Sequence, residues 1–386
     1  MAPNATATFE GGNGRVERCF SDDQGDVVYF AAEHKLGGPQ ALWFYLRIVG
    51  VKGPRLRCIL TNPTQILGGG GRWTHNAPVA RVNDGPWQRI SSVERRENEH
   101  LVPEVIMTIE VPFGSESVEI AACYPYLAED LEEALQHSAN GWTWLQAVIG
   151  YSHGGRPIVR LYNTLGDEAR SKPGIFLIAR QHSGETPGSW LLDGIIRHLG
   201  SPAGEHIRRD LCVWIIPFAD PDGVASGGYG KDQFPWDLNR AWDRPTRPEI
   251  HAIQADLVRW TRRCRPRMIV DLHAPGYSEV GFYFWAPSHP ASIAEETHRL
   301  ANEFRQRVPE RLRGNEPPFR TWGTTRTSVQ QGTSCIGFGI EKLGIPTTTL
   351  EVSYHGPDST SHYTQDDYRL LGKTLIETLH HMFSGG

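Results

Sequence analysis

Among 386 residues, 39 Lys and Arg stand against 44 Asp and Glu, a formal charge of −5, with 39% hydrophobic residues and 12 Trp. At about 150 residues per domain this suits two or three globular units and excludes a disordered chain. The mild negative balance argues against nucleic-acid binding, which runs on a basic surplus. The longest apolar runs, such as that around Val213 to Ile216, fall far short of the roughly 20 residues that cross a bilayer.

Residues 1–125 read as β-structure, since short β-rich runs at 27–30, 42–49, 56–60, 105–111 and 118–123 recur between Gly, Pro and Asn-Asp punctuation. An antiparallel β-sandwich is expected there, with the glycine run from Gly68 to Gly71 as a hairpin tip or loop. MAPNATATFEGG has neither a basic n-region nor an apolar h-region, so no secretory signal is visible and the cytoplasm is the expected compartment. Cys19, Cys58, Cys123, Cys212, Cys264 and Cys335 are widely separated with no CxxC. They suit reduced core thiols better than a disulfide lattice or a thiolate zinc site.

Near residue 126 the pattern changes. LAEDLEEALQH at 127–137 reads as a helix, and short apolar strands then alternate with longer amphipathic segments, the grammar of an α/β fold. Strands are expected at 158–163, 174–179, 211–217, 267–271, 281–285 and 347–351, and helices at 187–199, 247–264, 291–308 and 366–382. The chain therefore divides into units at 1–125 and 126–386, the second doubly wound around a mixed sheet. In such sheets ligands gather just past the strand ends.

GIFLIARQHSGETPGSW closes a buried strand with His182 and Glu185 at HxxE spacing, one turn apart, where an imidazole and a carboxylate can face the same ion. Alone the pattern is weak, and surface polar residues near a helix start explain it as well. RPRMIVDLHAPG brings His273 to the end of a second strand; a half-buried histidine bonded to backbone is the competing explanation. Two His and one Glu with a fourth position open is the ligand set of a catalytic zinc. Glu351 ends the apolar strand IPTTTLE, where a carboxylate is costly unless it faces a polar cavity, so it is either a proton acceptor for a metal-bound water or a solvated strand end. Between these segments Asp237-Leu238-Asn239-Arg240 offers a guanidinium fork for a substrate carboxylate, with a neighbouring amide to share it. Asp237 is placed to orient His182 through its second nitrogen, or either charge forms a structural ion pair.

Taken together, these residues resemble the zinc carboxypeptidase family, specifically its cytosolic carboxypeptidase, deglutamylase-like branch, whose members remove glutamates from protein tails and side chains. WFYLRIVGVKGPRLRCILTN is similar to the branch's N-terminal β-sandwich and AACYPYLAEDLEEAL to its Tyr-Pro-Tyr junction. ARQHSGETPGSW resembles the zinc motif, PFADPDGV the loop after the next strand, DLNRAW the carboxylate-binding motif, DLHAPG the third ligand and TTTLE the catalytic glutamate. The resemblance implies one zinc per chain held by His182, Glu185 and His273, Glu351 as general base and later acid, and Asn239 and Arg240 on the substrate's α-carboxylate.

Two departures stand out. Where the family carries a second arginine for the oxyanion, GGYGKD has Lys231 after Gly230, a charge on a flexible stem without the planar fork. Where the branch carries a Gly-Thr-x-Arg-like run, GTSC ends in Cys335, a neutral thiol that cannot pair with a glutamate side chain. Ser328, Val329 and Gln330 lie where spacing would put the family's substrate-capping tyrosine, and Tyr354 and Tyr363 follow Glu351. The expected function is a zinc metallocarboxypeptidase cutting the C-terminal residue from peptides or protein tails, with no nucleic-acid or membrane partner. A zinc amidohydrolase or deacylase of small N-acyl amino acids, and an inactive binding module, are the competing functions.

Overall fold

A computed structural model describes residues 2–35, 40–65, 77–137, 141–231, 237–315, 317–322 and 333–384. The glycine run at 68–71 and residues 328–330 lie outside the described residues. The N-terminal strands are β1 (Asn4–Thr6), β2 (Arg15–Asp22), β3 (Gly25–Ala31), β4 (Tyr45–Val49), β5 (Arg55–Leu60), β6 (Val79–Val82), β7 (Gln88–Arg89), β8 (Ser92–Glu97), β9 (Pro103–Glu110) and β10 (Ser117–Ala121). They form two five-stranded sheets, ordered β1-β4-β10-β6-β7 and β2-β3-β5-β9-β8. Alternate residues turn inward: Leu46, Ile48, Val118 and Ile120 of the first sheet share one apolar cluster with Val28, Phe30, Cys58 and Met107 of the second. One pairing departs from the antiparallel expectation. β3 and β5 run parallel, because the chain crosses to the other sheet for β4 and returns beside β3 in the same direction.

After α1 (Ala128–Gln136), the chain builds an eight-stranded mixed sheet. Its strands are β11 (Leu145–Tyr151), β12 (Pro157–Tyr162), β13 (Pro173–Ala179), β14 (Cys212–Ile216), β15 (Arg265–His273), β16 (Phe282–Pro287), β17 (Phe319–Trp322) and β18 (Thr347–Val352), in the order β11-β12-β14-β13-β15-β18-β16-β17. The helices are α2 (Thr186–Gly200), α3 (Glu205–Asp210), α4 (Pro221–Ser226), α5 (Pro248–Thr261), α6 (Ala291–Arg307), α7 (Glu310–Arg313), α8 (Cys335–Leu343) and α9 (Gln365–Phe383). Strand alternation decides which helix covers which face. Ile175, Leu177 and Ala179 of β13 pack with Leu191 and Ile195 of α2 and Leu371 and Leu375 of α9. Phe176 and Ile178 pack with Ile253, Leu257 and Trp260 of α5. Both faces are covered, as doubly wound sheets require. Helices α2 and α9 meet closely at Gly372, where a Cβ would overlap the Leu191 carbonyl. None of the helices among the described residues is long and apolar enough to cross a membrane.

The expected strands at 158–163, 174–179, 211–217, 267–271, 281–285 and 347–351 correspond to six of these eight. β11 escapes a pattern reading because it is an edge strand with a register shift between Val148 and Gly150, and its Leu145, Val148 and Tyr151 are exposed. β17 is four residues long at the other edge. The parallel neighbours β13, β15 and β18 end at the same edge, with Ala179 paired to Leu272 and His273 to Glu351. That edge is where the expected site residues meet.

Candidate metal centre

β13 stops at Ala179, and the chain turns through Arg180 in the left-handed region (φ 61°), a conformation that costs energy in a non-glycine residue. The buried Arg180 guanidinium holds the turn by donating to the carbonyl oxygens of Ser183 and Tyr126 and to Ser189 Oγ. Glu185 N then donates to His182 O at 3.1 Å, and α2 starts at Thr186. The turn thus presents His182 and Glu185 side by side. Gly230, at φ 94°, lies against it, and a Cβ there would sit 2.6 Å from Ser183 N, so only glycine admits this approach.

Across the edge, β15 delivers His273. Donor atoms of His182, Glu185 and His273 lie within 4.8 Å of one another, and all three side chains are buried. His182 Nδ1 is 2.9 Å from Glu185 Oε1, and His273 Nδ1 is 2.7 Å from Glu185 Oε2. The outer nitrogens face carboxylates: His182 Nε2 stands 3.2 Å from Asp237 Oδ1, and His273 Nε2 stands 2.8 Å from Asp271 Oδ2. A carboxylate oxygen thus stands at all four ring nitrogens, and an ion shared by Glu185 and both Nδ1 atoms would leave the ring protons to Nε2, where Asp237 and Asp271 accept them. The two Nδ1 atoms converge at 3.1 Å. Two imidazole nitrogens and one carboxylate converging in a buried space are a set that one ion can share. The donor set fits zinc.

The charges around the point agree. Burial opposes ionisation of Glu185, yet Lys231, His182 and His273 hold its carboxyl well below the usual range. Burial likewise opposes charge on His273, and Asp271 and Glu185 outweigh it, raising that imidazole well above its ordinary value, so a proton competes with a metal ion for Nδ1. Lys231 Nζ lies 3.0 Å from Glu185 Oε1 and 5.6 Å from the centre of the Tyr229 ring.

Glu351 stands on β18 directly beside His273. Its Oε1 accepts from Trp285 Nε1 at 3.2 Å, while Oε2 is buried with no partner among the described residues. Burial raises its carboxyl above the ordinary value against the pull of His273 and Lys231. Asn239 and Arg240 sit in the turn that Asp237 caps. The Asn239 amide is turned inward: Oδ1 accepts from Cys335 N at 2.9 Å, and Nδ2 lies 3.3 Å from His273 Nε2, a contact that is a hydrogen bond only when that nitrogen carries no proton. Arg240 is half-buried, with Nη1 donating to Asn239 O at 2.7 Å. The buried Cys335 opens α8, and burial pushes its thiol well above the usual range. Tyr354 is buried with its hydroxyl unpartnered among the described residues, whereas the Tyr363 hydroxyl donates to Leu312 O.

Four polar groups here were absent from the sequence expectation: Asp271, Gln181, Trp242 and Trp285. Asp271 had a legible signal, since a residue two before His273 on one strand shares its face. Gln181 adjoins His182 in sequence, but its contacts to Asp271 and Trp242, like the approach of Trp285 to Glu351, arise only through tertiary folding. Gln181 Nε2 donates to Asp271 Oδ2 at 2.5 Å, and Trp242 Nε1 donates to Gln181 Oε1 at 2.7 Å.

Residues 145–368 match the family described as zinc carboxypeptidase. The chain is 28% identical to mouse cytosolic carboxypeptidase 6, covering 96% of this chain and 72% of that protein. The human protein of that name is 26% identical, covering 96% and 77%. Among solved structures, the metallo-carboxypeptidase of Burkholderia cenocepacia superposes with a TM-score of 0.78 over 98% of each chain at 21% identity. The metallo-carboxypeptidase of Pseudomonas aeruginosa, solved with (2-guanidinoethylmercapto)succinic acid, gives 0.75 over 98% of each chain, also at 21% identity. With the family's match spanning the whole mixed sheet and most of the helices around it, this chain belongs to the zinc carboxypeptidases, a family of metal-dependent hydrolases.

Proposed function

We propose that the chain hydrolyses the C-terminal amide bond of peptides or protein tails as a zinc-dependent metallocarboxypeptidase. The chemistry belongs to residues 126–386, and residues 1–125 form a supporting unit. The observation that carries the reading is the buried convergence of His182 Nδ1, His273 Nδ1 and the Glu185 carboxylate, with the unpartnered Oε2 of Glu351 on the neighbouring strand.

Bound by those three residues, a zinc ion would supply Lewis acidity for the scissile carbonyl and a lowered pKa for an adjacent water. The chain's own groups do the remaining work. Glu351 accepts a proton from the attacking water and returns it to the leaving amine. Its raised pKa suits a base that must also act as an acid. Arg240 pairs with the free α-carboxylate, which makes the cut terminal, and Asn239 steadies Arg240 through its carbonyl oxygen. Lys231, beside Glu185, contributes positive charge as the carbonyl oxygen becomes anionic. Asp237 orients His182 through Nε2. The Cys335 thiol offers no charge to an acidic side chain, so the reading is peptide and protein tails in general rather than glutamate in particular. The relatives' printed name, cytosolic carboxypeptidase, supports the cytoplasm as the compartment.

Purified protein should carry about one zinc per chain, as a three-ligand site implies. It should release free amino acid from peptides with an open C-terminus and not from amidated ones. His182→Ala should lose both metal and hydrolysis. Metal-free protein from a zinc-replete preparation, or turnover of N-acyl amino acids with neither peptide cleaved, would overturn the reading.

A further inference from the structure

The structure assigns Gln181 and Trp242 as positioning residues that fix the metal-binding tautomer of His273 by way of Asp271; the assignment rests on the metal site proposed above. Direction along this chain of contacts follows from donor chemistry. An indole N–H only donates, so the 2.7 Å contact from Trp242 Nε1 to Gln181 Oε1 settles which way the amide points. The amide nitrogen is then turned to Asp271, donating to Oδ2 at 2.5 Å. Asp271 Oδ2 also faces His273 Nε2 at 2.8 Å, and a carboxylate has no proton to give. Glu185 stands at Nδ1 as Asp271 stands at Nε2, and an ion taken up by Glu185 and His182 would claim the Nδ1 lone pair, leaving the imidazole proton to Nε2 and Asp271.

Burial makes the sequence of contacts strong. Gln181 and Asp271 are fully buried, Trp242 is 1% exposed and His273 2%, so water does not compete for these bonds. Asp271 Oδ1 has no partner among the described residues, which leaves Oδ2 as the atom through which the carboxylate is held. Without the Gln181 amide, Asp271 loses a donor it cannot replace from solvent and can rotate away from His273. Trp242 acts one step further back, through Gln181 alone. The turn at 237–242 thus reaches behind both histidines, with Asp237 on His182 and Trp242 on the support of His273.

The experiment is zinc affinity of the full-length protein, by competition with a chromogenic chelator, for wild type, Gln181→Ala, Trp242→Phe and the double variant. The visible spectrum of the cobalt-substituted proteins reports ligand geometry, and the melting of each metal-free variant reports the fold. Gln181→Ala should weaken zinc about tenfold to a hundredfold, the usual effect of removing support behind a ligating histidine. Trp242→Phe, which keeps the ring and drops the N–H, should weaken it by a smaller factor. The double variant should bind no more weakly than Gln181→Ala, because Trp242 then has nothing to act through, and the cobalt spectrum should shift in all three. Wild-type zinc binding with an unchanged constant in Gln181→Ala overturns the assignment, as do losses that multiply in the double variant. Wild type that binds no zinc fells the metallopeptidase reading itself, a result distinct from either.

Discussion

At the scale of residues, one carboxylate separates binding from chemistry. Glu351 touches the active edge without belonging to the convergent set, with one oxygen on Trp285 and the other unpartnered. Glu351→Gln preserves the side chain's size and its contact to Trp285 while removing its capacity to take a proton. Turnover should fall roughly a hundredfold to ten-thousandfold, the range for losing general acid–base assistance, with zinc content unchanged. Metal analysis beside kinetics checks both halves, and loss of zinc would show that Glu351 helps hold the ion. What the sequence revealed at this scale follows from strand geometry. His182, Glu185, His273 and Glu351 sit at or just past the ends of apolar runs, so a parallel arrangement brings them together. The inward commitment of Asn239 was not legible, because its partners His273 and Cys335 are 34 and 96 residues away.

Among the secondary-structure elements, α1 carries an electrostatic burden. Asp130, third in the helix, accepts from Leu127 N at 2.7 Å, but burial and the nearby Glu129, Asp193 and Glu133 push its carboxyl up to about 6. Because the folded pKa exceeds the ordinary value of 3.8, the group contributes stability that is full below 3.8 and lost as pH rises through about 6. Asp130→Asn, whose amide oxygen can still accept from Leu127, should gain melting temperature relative to wild type from pH 4 to pH 7. A difference constant with pH would refute the account. Elements were legible where burial imposed a clear period: α2, α5, α6 and α9 lie within a few residues of their expected spans. The short helices α3, α4 and α7 have too few turns for a period, and β11 has an exposed, shifted pattern.

For the molecule as a whole, the N-terminal segment is bonded to loops on either side of the proposed metal site. Gly11 N donates to Ala225 O, and Asn13 Nδ2 donates to Gly227 O at 2.7 Å, two residues before Tyr229 and four before Lys231. Elsewhere, Ala77 N contacts His355 Nδ1, Arg89 donates to Tyr363 O, and Tyr277 donates to Ala122 O at 3.0 Å. The apolar cluster runs unbroken from Val28 through Tyr124 to Leu375. A fragment of 126–386 should therefore expose that cluster and fail to give a soluble, cooperatively melting protein, whereas the full chain should show a single heat-absorption peak. A well-behaved fragment with bound zinc would mean the sheets are dispensable. Those bonds have a consequence for engineering. A transfer of residues 126–386 into another scaffold must carry the strands of residues 1–125 with it, because the recipient's would bring no counterpart to Asn13 or Arg89.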